Sequence, residues 1–240
     1  MLDEPLIIEN LDDATELPRI NGDVKFDNVT FSYEENSPII LENVKGLLTL
    51  QKGYFKKEII EKIMKELQTA LEQLNIPYTE ETLEKYRLYM EGIIEWNEKV
   101  NLTSITDRDE FIKLHFIDSI MSVPCEEFQK ANKIIDVGTG GGFPGIPLAL
   151  AAPDKEFVLM DSLNKRIKFL NTVVNELGLT NIELIHGRAE DFAKKKEYRE
   201  QFDVVTSRAV ALLPALLEYT LPLVKVGGKL IAMKGAGGKE

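Results

Sequence analysis

Hydrophobic positions along the chain change rhythm twice. Near the front, the run Val24-Lys25-Phe26-Asp27-Asn28-Val29-Thr30-Phe31-Ser32-Tyr33 alternates apolar and polar residues, and the alternation breaks at Asn28. A period of two predicts a strand, and the break predicts a bulge or a turn. From about residue 54 the period lengthens. Ile60, Ile63, Met64, Leu67, Leu71 and Leu74 recur at three- and four-residue steps, the apolar stripe of an amphipathic helix. Pro77 stops that helix, and Thr79 followed by Glu80 and Glu81 offers an N-cap and an acidic first turn to the next. Leu83, Tyr86, Met90, Ile93 and Ile94 carry the second stripe. A third helix opens at Thr106-Asp107-Arg108-Asp109, and Phe111, Ile112, Leu114, Phe116, Ile117 and Ile120 leave it so little polar face that burial is expected.

Beyond residue 131 short β-rich runs recur at 134–137, 157–160, 182–185, 202–206 and 230–233, with helical stretches between several of them. The clearest of these helices carries Leu163, Ile167, Leu170, Val174 and Leu177 on one face and stops at Gly178. Strands alternating with helices predict βαβ units, a parallel sheet and right-handed crossovers, hence an α/β fold of Rossmann-like type preceded by a small helical subdomain. The expected division is 1–48, an acidic appended segment; 54–128, helical; and 131–240, α/β.

Charge sharpens that division. The chain of 240 residues carries a formal net charge of -11, which by itself argues against a nucleic-acid partner. Residues 1–48 hold eleven acidic and three basic side chains, so most of the acidity sits in front and the remainder nets only -3. A local basic face is therefore allowed in the larger part. One cysteine, Cys125, excludes an intrachain disulfide framework, and two histidines make a structural zinc site improbable, so no metal is expected. No apolar run approaches the ~20 residues of a membrane span, and the start with Asp3 and Glu4 is no signal peptide; the expected location is cytoplasmic, without membrane association.

The candidate chemistry gathers at strand ends. Ile134-Ile135-Asp136-Val137-Gly138-Thr139-Gly140-Gly141-Gly142-Phe143-Pro144-Gly145 is a buried strand running into a glycine loop, where missing Cβ atoms let a ligand approach the backbone. Counted from Gly138, the dinucleotide pattern G-x-G-x-x-G fails at Phe143. Counted from Gly140 it matches two residues late, with Pro144 in the turn. The acid within the strand followed by Gly138-x-Gly140 resembles instead the first motif of S-adenosylmethionine-dependent methyltransferases. Asp161 ends the second strand, where a carboxylate can accept both hydroxyls of an adenosine ribose, or cap the following helix, or do both. After the third strand, His186-Gly187-Arg188-Ala189-Glu190-Asp191-Phe192 places a backbone group at Ala189 and the carboxylate of Glu190 where an adenine edge would lie; a solvated loop with a capping acid fits equally.

The fourth strand ends Asp203-Val204-Val205-Thr206-Ser207-Arg208-Ala209-Val210, facing the methyl group to be transferred. It lacks the Asn/Asp-Pro-Pro-Tyr/Phe tetrapeptide of exocyclic-amine methyltransferases, and Cys125 lies outside the α/β block, which removes the nucleophile of cytosine-C5 enzymes. An acceptor with a free lone pair, such as a purine N7, needs no general base and hence no catalytic side chain of that kind; O-methylation stays open. Arg208 would bind the cofactor carboxylate or an RNA phosphate, or simply form a salt bridge. His115 and Asp118, one helical turn apart, suggest a buried pair with each other. Lys165, Arg166, Lys168 and the run Lys194-Lys195-Lys196 are candidate phosphate contacts.

Trp96-Asn97-Glu98-Lys99-Val100-Asn101-Leu102-Thr103, His115-Phe116-Ile117-Asp118-Ser119, the glycine loop, Asp161-Ser162-Leu163-Asn164-Lys165-Arg166, Gly187-Arg188-Ala189-Glu190 and Ser207-Arg208-Ala209 follow one another in order. Together, over about residues 54–236, they resemble the ribosomal RNA small subunit methyltransferase G (glucose-inhibited division protein B) family. The resemblance implies transfer of a methyl group from S-adenosylmethionine to N7 of a guanine in 16S rRNA, with the small ribosomal subunit as partner and a monomeric enzyme. It implies cofactor contacts at Gly138, Phe143, Ala189, Glu190 and Arg208, with Gly140 in the same loop and Asp161 on the ribose. It also implies a seven-stranded sheet, of which five strands are present before the chain stops at Glu240. From that we expect an unpaired edge and a destabilised protein with activity impaired or lost; a catalytically inactive cofactor- or nucleotide-binding fragment, the relic of a gene fusion, is the alternative reading. Residues 1–48 resemble the opening strands of an ABC transporter nucleotide-binding domain, where an aromatic at the place of Tyr33 stacks on adenine, but no G-x-x-x-x-G-K-[ST] loop follows.

Overall fold

The computed structural model describes residues 23–31, 41–49 and 54–233. It divides into two compact units, residues 1–57 and 58–240. In the first, β1 (Asp23–Phe31) pairs antiparallel with β2 (Leu41–Thr49), and the register shifts between Phe26 and Val29 and again between Val29 and Phe31. The broken alternation at Asn28 is thus a real irregularity of the ladder. The partner strand β2 went unread because Leu41-Glu42-Asn43-Val44 and Gly46-Leu47-Leu48 do not alternate. Tyr33 lies outside the described residues.

The second unit begins with helices. α1 (Tyr54–Gln73) ends before Asn75, whose φ of 55° breaks the helix just ahead of Pro77. α2 (Glu80–Val100) starts on the expected cap: Thr79 accepts a hydrogen bond from Thr82 N–H, and the Thr82 hydroxyl answers at Thr79 N–H. α3 (Arg108–Phe111) is capped by the Asp107 side chain and runs through a wider, π-helical stretch (Ile112–Ile117) into α4 (Asp118–Ile120). This composite helix is only partly buried. Phe111, Ile112, His115, Phe116, Ser119 and Ile120 face the core, whereas Leu114 is half exposed. α5 (Glu126–Lys130) completes the helical part.

Five parallel strands follow: β3 (Lys133–Val137), β4 (Glu156–Asp161), β5 (Ile182–His186), β6 (Phe202–Arg208) and β7 (Val224–Met233), in the spatial order β5-β4-β3-β6-β7. Between them lie α6 (Gly145–Ala151), α7 (Asn164–Glu176), α8 (Ala189–Phe192) and α9 (Leu213–Thr220). β7 begins six residues before the predicted run, because Gly227 and Gly228 mask its first half while the ladder shifts register opposite Phe202 and Val204. This is the expected α/β architecture.

Both faces of the three central strands, β4, β3 and β6, are buried, as parallel strands require, whereas the edge strands β5 and β7 are mostly half-buried or exposed. Ile134, Phe157, Leu159 and Val204 face the large core shared with α2, α6, α7 and the composite helix. Ile135, Val137, Val158, Met160 and Val205 face a smaller core with Ala189, Ala193 and Leu223. α2 is anchored by more than apolar area. The buried hydroxyls of Tyr86 and Tyr89 donate to Pro147 O at 2.6 Å and Gly141 O at 2.7 Å, so two side chains of one helix hold the middle of the glycine loop and the first turn of α6 behind it. The chain order reverses at β3, and in such sheets ligands settle outside the strand ends at that switch point. No helix among the described residues is long and apolar enough to cross a membrane.

Candidate functional site

The loop after β3 is fixed from below and from the side. Gly138 and Thr139 N–H both donate to Met160 O, at 2.9 and 3.0 Å. Asp136, fully buried, takes Gly145 N–H on Oδ2 at 3.1 Å and the Thr206 hydroxyl on Oδ1 at 3.1 Å. Burial pushes its carboxyl up to about 6 against those hydrogen bonds. The acid of the motif therefore braces the loop from within and does not line a cavity. Gly138 and Gly140 have φ of 73° and 63°, a region that costs residues with a Cβ.

Two hollows meet at Gly138. One, of about 300 Å³, is lined by Val137, Gly138, Asp161, Gly187, Ala189, Glu190 and Val210 among others. The other, of about 820 Å³, runs from Gly138–Gly141 and Phe143 across to Leu114, His115, Asp118, Met121, Arg166 and Arg208. A Cβ added to Gly138 would stand 2.5 Å from a Val210 methyl, so Val210 roofs the glycine where the hollows join.

The smaller hollow carries carboxylates. Asp161 is nearly inaccessible and already busy: Oδ1 takes Leu163 N–H at 2.8 Å, while Oδ2 takes Gly140 N–H at 2.9 Å and Arg166 at 3.3 Å. The anticipated N-cap is corrected: α7 begins after Leu163 with no side-chain cap, and Asp161 instead takes the N–H of Leu163 two residues on while tying the glycine loop to α7 through Gly140 and Arg166. Ala189 is buried at the start of α8 and Glu190 is exposed beside it.

The larger hollow carries guanidinium groups. Arg208 leaves β6 and is gripped from the composite helix: Nη1 donates to Leu114 O at 2.9 Å and pairs with Asp118 Oδ2 at 3.3 Å, and Nη2 donates to His115 Nδ1 at 2.8 Å. Its guanidinium carbon lies 5.0 Å from the centre of the Phe143 ring, on which His115 stacks at 4.3 Å. With Nδ1 accepting from Arg208, the proton of His115 sits on Nε2 and reaches the Thr103 hydroxyl at 2.7 Å. Burial, and after it the neighbouring Arg208 charge, lowers this imidazole to about 4, so it is neutral near pH 7. The expectation that His115 and Asp118 pair with each other is corrected: each meets Arg208 instead. The wider π-helical turn takes the two side chains off a shared helical row and Arg208 reaches between them.

Every candidate cofactor contact of the sequence stands at one of these hollows: Gly138 at both, Gly140, Phe143 and Arg208 at the larger, Asp161, Ala189 and Glu190 at the smaller. Arg166 joins the larger one. Lys165, Lys168 and Lys194–Lys196 line neither; Lys195 lies over the Phe192 ring. Tyr86, Tyr89, Thr103, Leu114, Met121 and Val210 were not foreseen as parts of the site. The one signal in the sequence was for Tyr86, a phenol inside an aliphatic helical stripe; Tyr89 had none.

The donors fit an S-adenosylmethionine molecule. Carboxylates and a helix-start amide suit the hydroxyls and base edge of adenosine, guanidinium groups on the opposite side suit a carboxylate, and the positive-φ glycines between them leave room at the backbone.

Comparison with known proteins agrees. The family model described as rRNA small subunit methyltransferase G matches residues 82–240. The ribosomal RNA small subunit methyltransferase G of Clostridium perfringens (strain 13 / Type A) is 53% identical over 169 residues, 70% of this chain and 71% of that protein. That of Clostridium tetani is 52% identical over 174 residues, 72% and 73% of the two chains. Among solved structures, an O-methyltransferase from Bacillus cereus in complex with SAH has a TM-score of 0.47 at 21% identity, covering 72% of this chain and 74% of its own. The chain belongs to the rRNA small subunit methyltransferase G family and is an S-adenosylmethionine-dependent methyltransferase of small-subunit ribosomal RNA.

Proposed function

We propose that this enzyme methylates N7 of a guanine in 16S rRNA, as a monomer in the cytoplasm, with the small ribosomal subunit as its partner. The observation that carries the reading is the junction of an acidic and a basic hollow at Gly138. In this assignment Asp161 and Glu190, with the backbone at Ala189, hold the adenosine end of the cofactor. Gly138 and Gly140 give it room, and Arg208 on Phe143 binds its carboxylate. When bound, S-adenosylmethionine supplies a methyl group on a sulfonium, whose transfer to a nitrogen lone pair moves one positive charge to the acceptor and releases no proton.

The residues of the larger hollow suit such an acceptor. Both nitrogens of His115 are engaged, so this imidazole is not free to remove a proton. What the walls offer is alignment, and a carboxylate near the place where positive charge appears. The test is transfer of labelled methyl groups to small subunits that lack the modification, followed by digestion and identification of the nucleoside. Labelled 7-methylguanosine is expected. Labelling of a different nucleoside, or none from an enzyme that binds S-adenosylmethionine in a calorimeter, overturns the assignment.

A further inference from the structure

Asp118 does more than hold Arg208. Among the described side chains that line the larger hollow it is the only carboxylate, and about half of it is exposed. Leu114 four residues before it and Met121 three after it line the same hollow. Both are exposed by half or more, 50% and 56%. Two large apolar side chains left open on the turns before and after an acid can offer apolar contact to the faces of a flat ring and an anionic group to its edge. The pairing with Arg208 uses only Oδ2, at 3.3 Å; Oδ1 accepts no hydrogen bond from the described residues.

A flat heteroaromatic ring with two neighbouring N–H donors on one edge matches that arrangement. Among the bases of RNA, guanine alone has such an edge, N1–H beside N2–H. Adenine and cytosine turn a bare ring nitrogen towards a carboxylate, and uracil presents one N–H between two carbonyl oxygens. Enzymes that act on a base extruded from its stack read it in this way, by hydrogen bonds to the pairing edge and apolar contact to the faces. We infer that Asp118, between Leu114 and Met121, receives the N1–H and N2–H edge of the guanine to be methylated. This rests on the proposed function and adds to it the device that selects the base.

The arrangement has two consequences for the reaction. With the pairing edge held at α4, the five-membered ring and its N7 turn away from that wall, towards the side where Gly138–Gly141 lie. Methylation at N7 makes the purine cationic and its N1–H and N2–H more acidic. The contact with Asp118 therefore strengthens as charge develops, the differential binding that raises kcat. Asp118 also shields the product's charge from Arg208.

The test compares Asp118→Ala and Asp118→Asn with the native enzyme. Small subunits reconstituted with either guanine or inosine at the methylated position serve as substrates. Inosine keeps N1–H and N7 and lacks only the N2 amine. The native enzyme is expected to prefer guanine by roughly ten- to a hundredfold in kcat/KM, as sites with a matched polar group do when a donor is missing. In D118A the guanine rate falls by about a hundredfold and the preference shrinks to within about threefold. D118N, of the same shape, retains part of the rate and little of the preference. Calorimetric affinity for S-adenosylmethionine should stay within about threefold in both variants, and melting temperatures show that they fold. An unchanged guanine preference in D118A overturns the inference. So does a loss of cofactor affinity that accounts for the whole rate loss, since Asp118 would then act only through Arg208. Native enzyme that labels another nucleoside, or another atom of guanine, defeats the proposed function itself, whatever the variants do.

Discussion

The two hollows at Gly138 differ in where their walls come from. The smaller one is made mainly by the strand ends of β3, β4 and β5 and the turns after them, with Val210 and Tyr219 added, so its carboxylates stand at the end of a strand or within four residues of one. The larger one shares the glycine loop but takes its far wall from the composite helix, held by α2 and by the hydrogen bonds of Arg208. A strand end is placed by backbone ladders on both sides. A helix wall is placed by side-chain packing. The difference implies that the smaller hollow tolerates change in proportion to the group removed, whereas the larger one fails when a packing contact behind it fails.

Gly142 offers the most severe way to break that contrast. Its φ is 107°, and a Cβ there would lie 2.6 Å from Tyr89 Oη, 2.8 Å from Ile146 Cδ1 and 3.0 Å from Leu170 Cδ2. Gly142→Ala therefore drives apart α2, α6 and α7 at once. Overpacking and backbone strain each contribute about 1–3 kcal/mol, so a total loss of about 2–6 kcal/mol is expected in denaturant unfolding. A loss below about 1 kcal/mol would mean that the loop shifts freely against α2, and the rigid far wall would be an illusion.

A matched pair of substitutions tests the contrast inside the site. Arg208→Ala leaves Leu114 O, Asp118 and His115 Nδ1 without their common donor and removes the cation from Phe143. Methyl transfer should fall by about a hundredfold in kcat/KM, with kcat itself reduced. Glu190→Gln, at an exposed position of the smaller hollow, should weaken cofactor affinity by about three- to tenfold and leave kcat almost unchanged. Steady-state kinetics with S-adenosylmethionine as varied substrate decide the matter. Equal behaviour of the two variants would erase the distinction between an affinity side and a reaction side.

The same contrast governs what could be read from the sequence. Strand ends announce themselves: Asp136 with the glycines, Asp161, Ala189-Glu190 and Arg208 follow apolar runs whose period reveals the sheet, so their places follow from topology. The helix wall does not announce itself. Tyr86 reads as one more member of an apolar stripe, and Tyr89 falls outside that stripe; that their hydroxyls reach α6 and the glycine loop depends on the angle at which α2 packs, which no local pattern contains. His115 and Asp118 are a comparable case. Ordinary helical spacing suggests that they touch, and the π-helical stretch that hands both to Arg208 leaves no trace in hydrophobic rhythm. β7 escaped in part for a different reason, since Gly227 and Gly228 interrupt a strand that the neighbouring ladder nevertheless keeps extended.

The smallest effect expected is also the one with opposed signs. His115, on the helix wall, is held at about 4 against an ordinary 6.5, so between those values the unfolded chain binds more protons there than the folded one, and stability is lost as pH falls. Asp136, under the sheet-borne loop, is raised to about 6 against an ordinary 3.8. Here the folded chain binds more protons, and stability is gained as pH falls from about 6 towards 4 and lost as it rises. In that window the two walls of the site titrate against each other, and their contributions nearly cancel in the native protein. Asp136→Asn should uncover the histidine: its melting temperature, measured relative to the native enzyme, drops on acidification from about pH 6 to about pH 4.5, by something on the order of 3 °C. His115→Asn should uncover the aspartate and shift the relative melting temperature upward over the same interval. Because both are read as differences from native protein, the other carboxylates fall out of the comparison. Curves for the two variants that run parallel to the native one would show that neither buried group has the environment assigned to it.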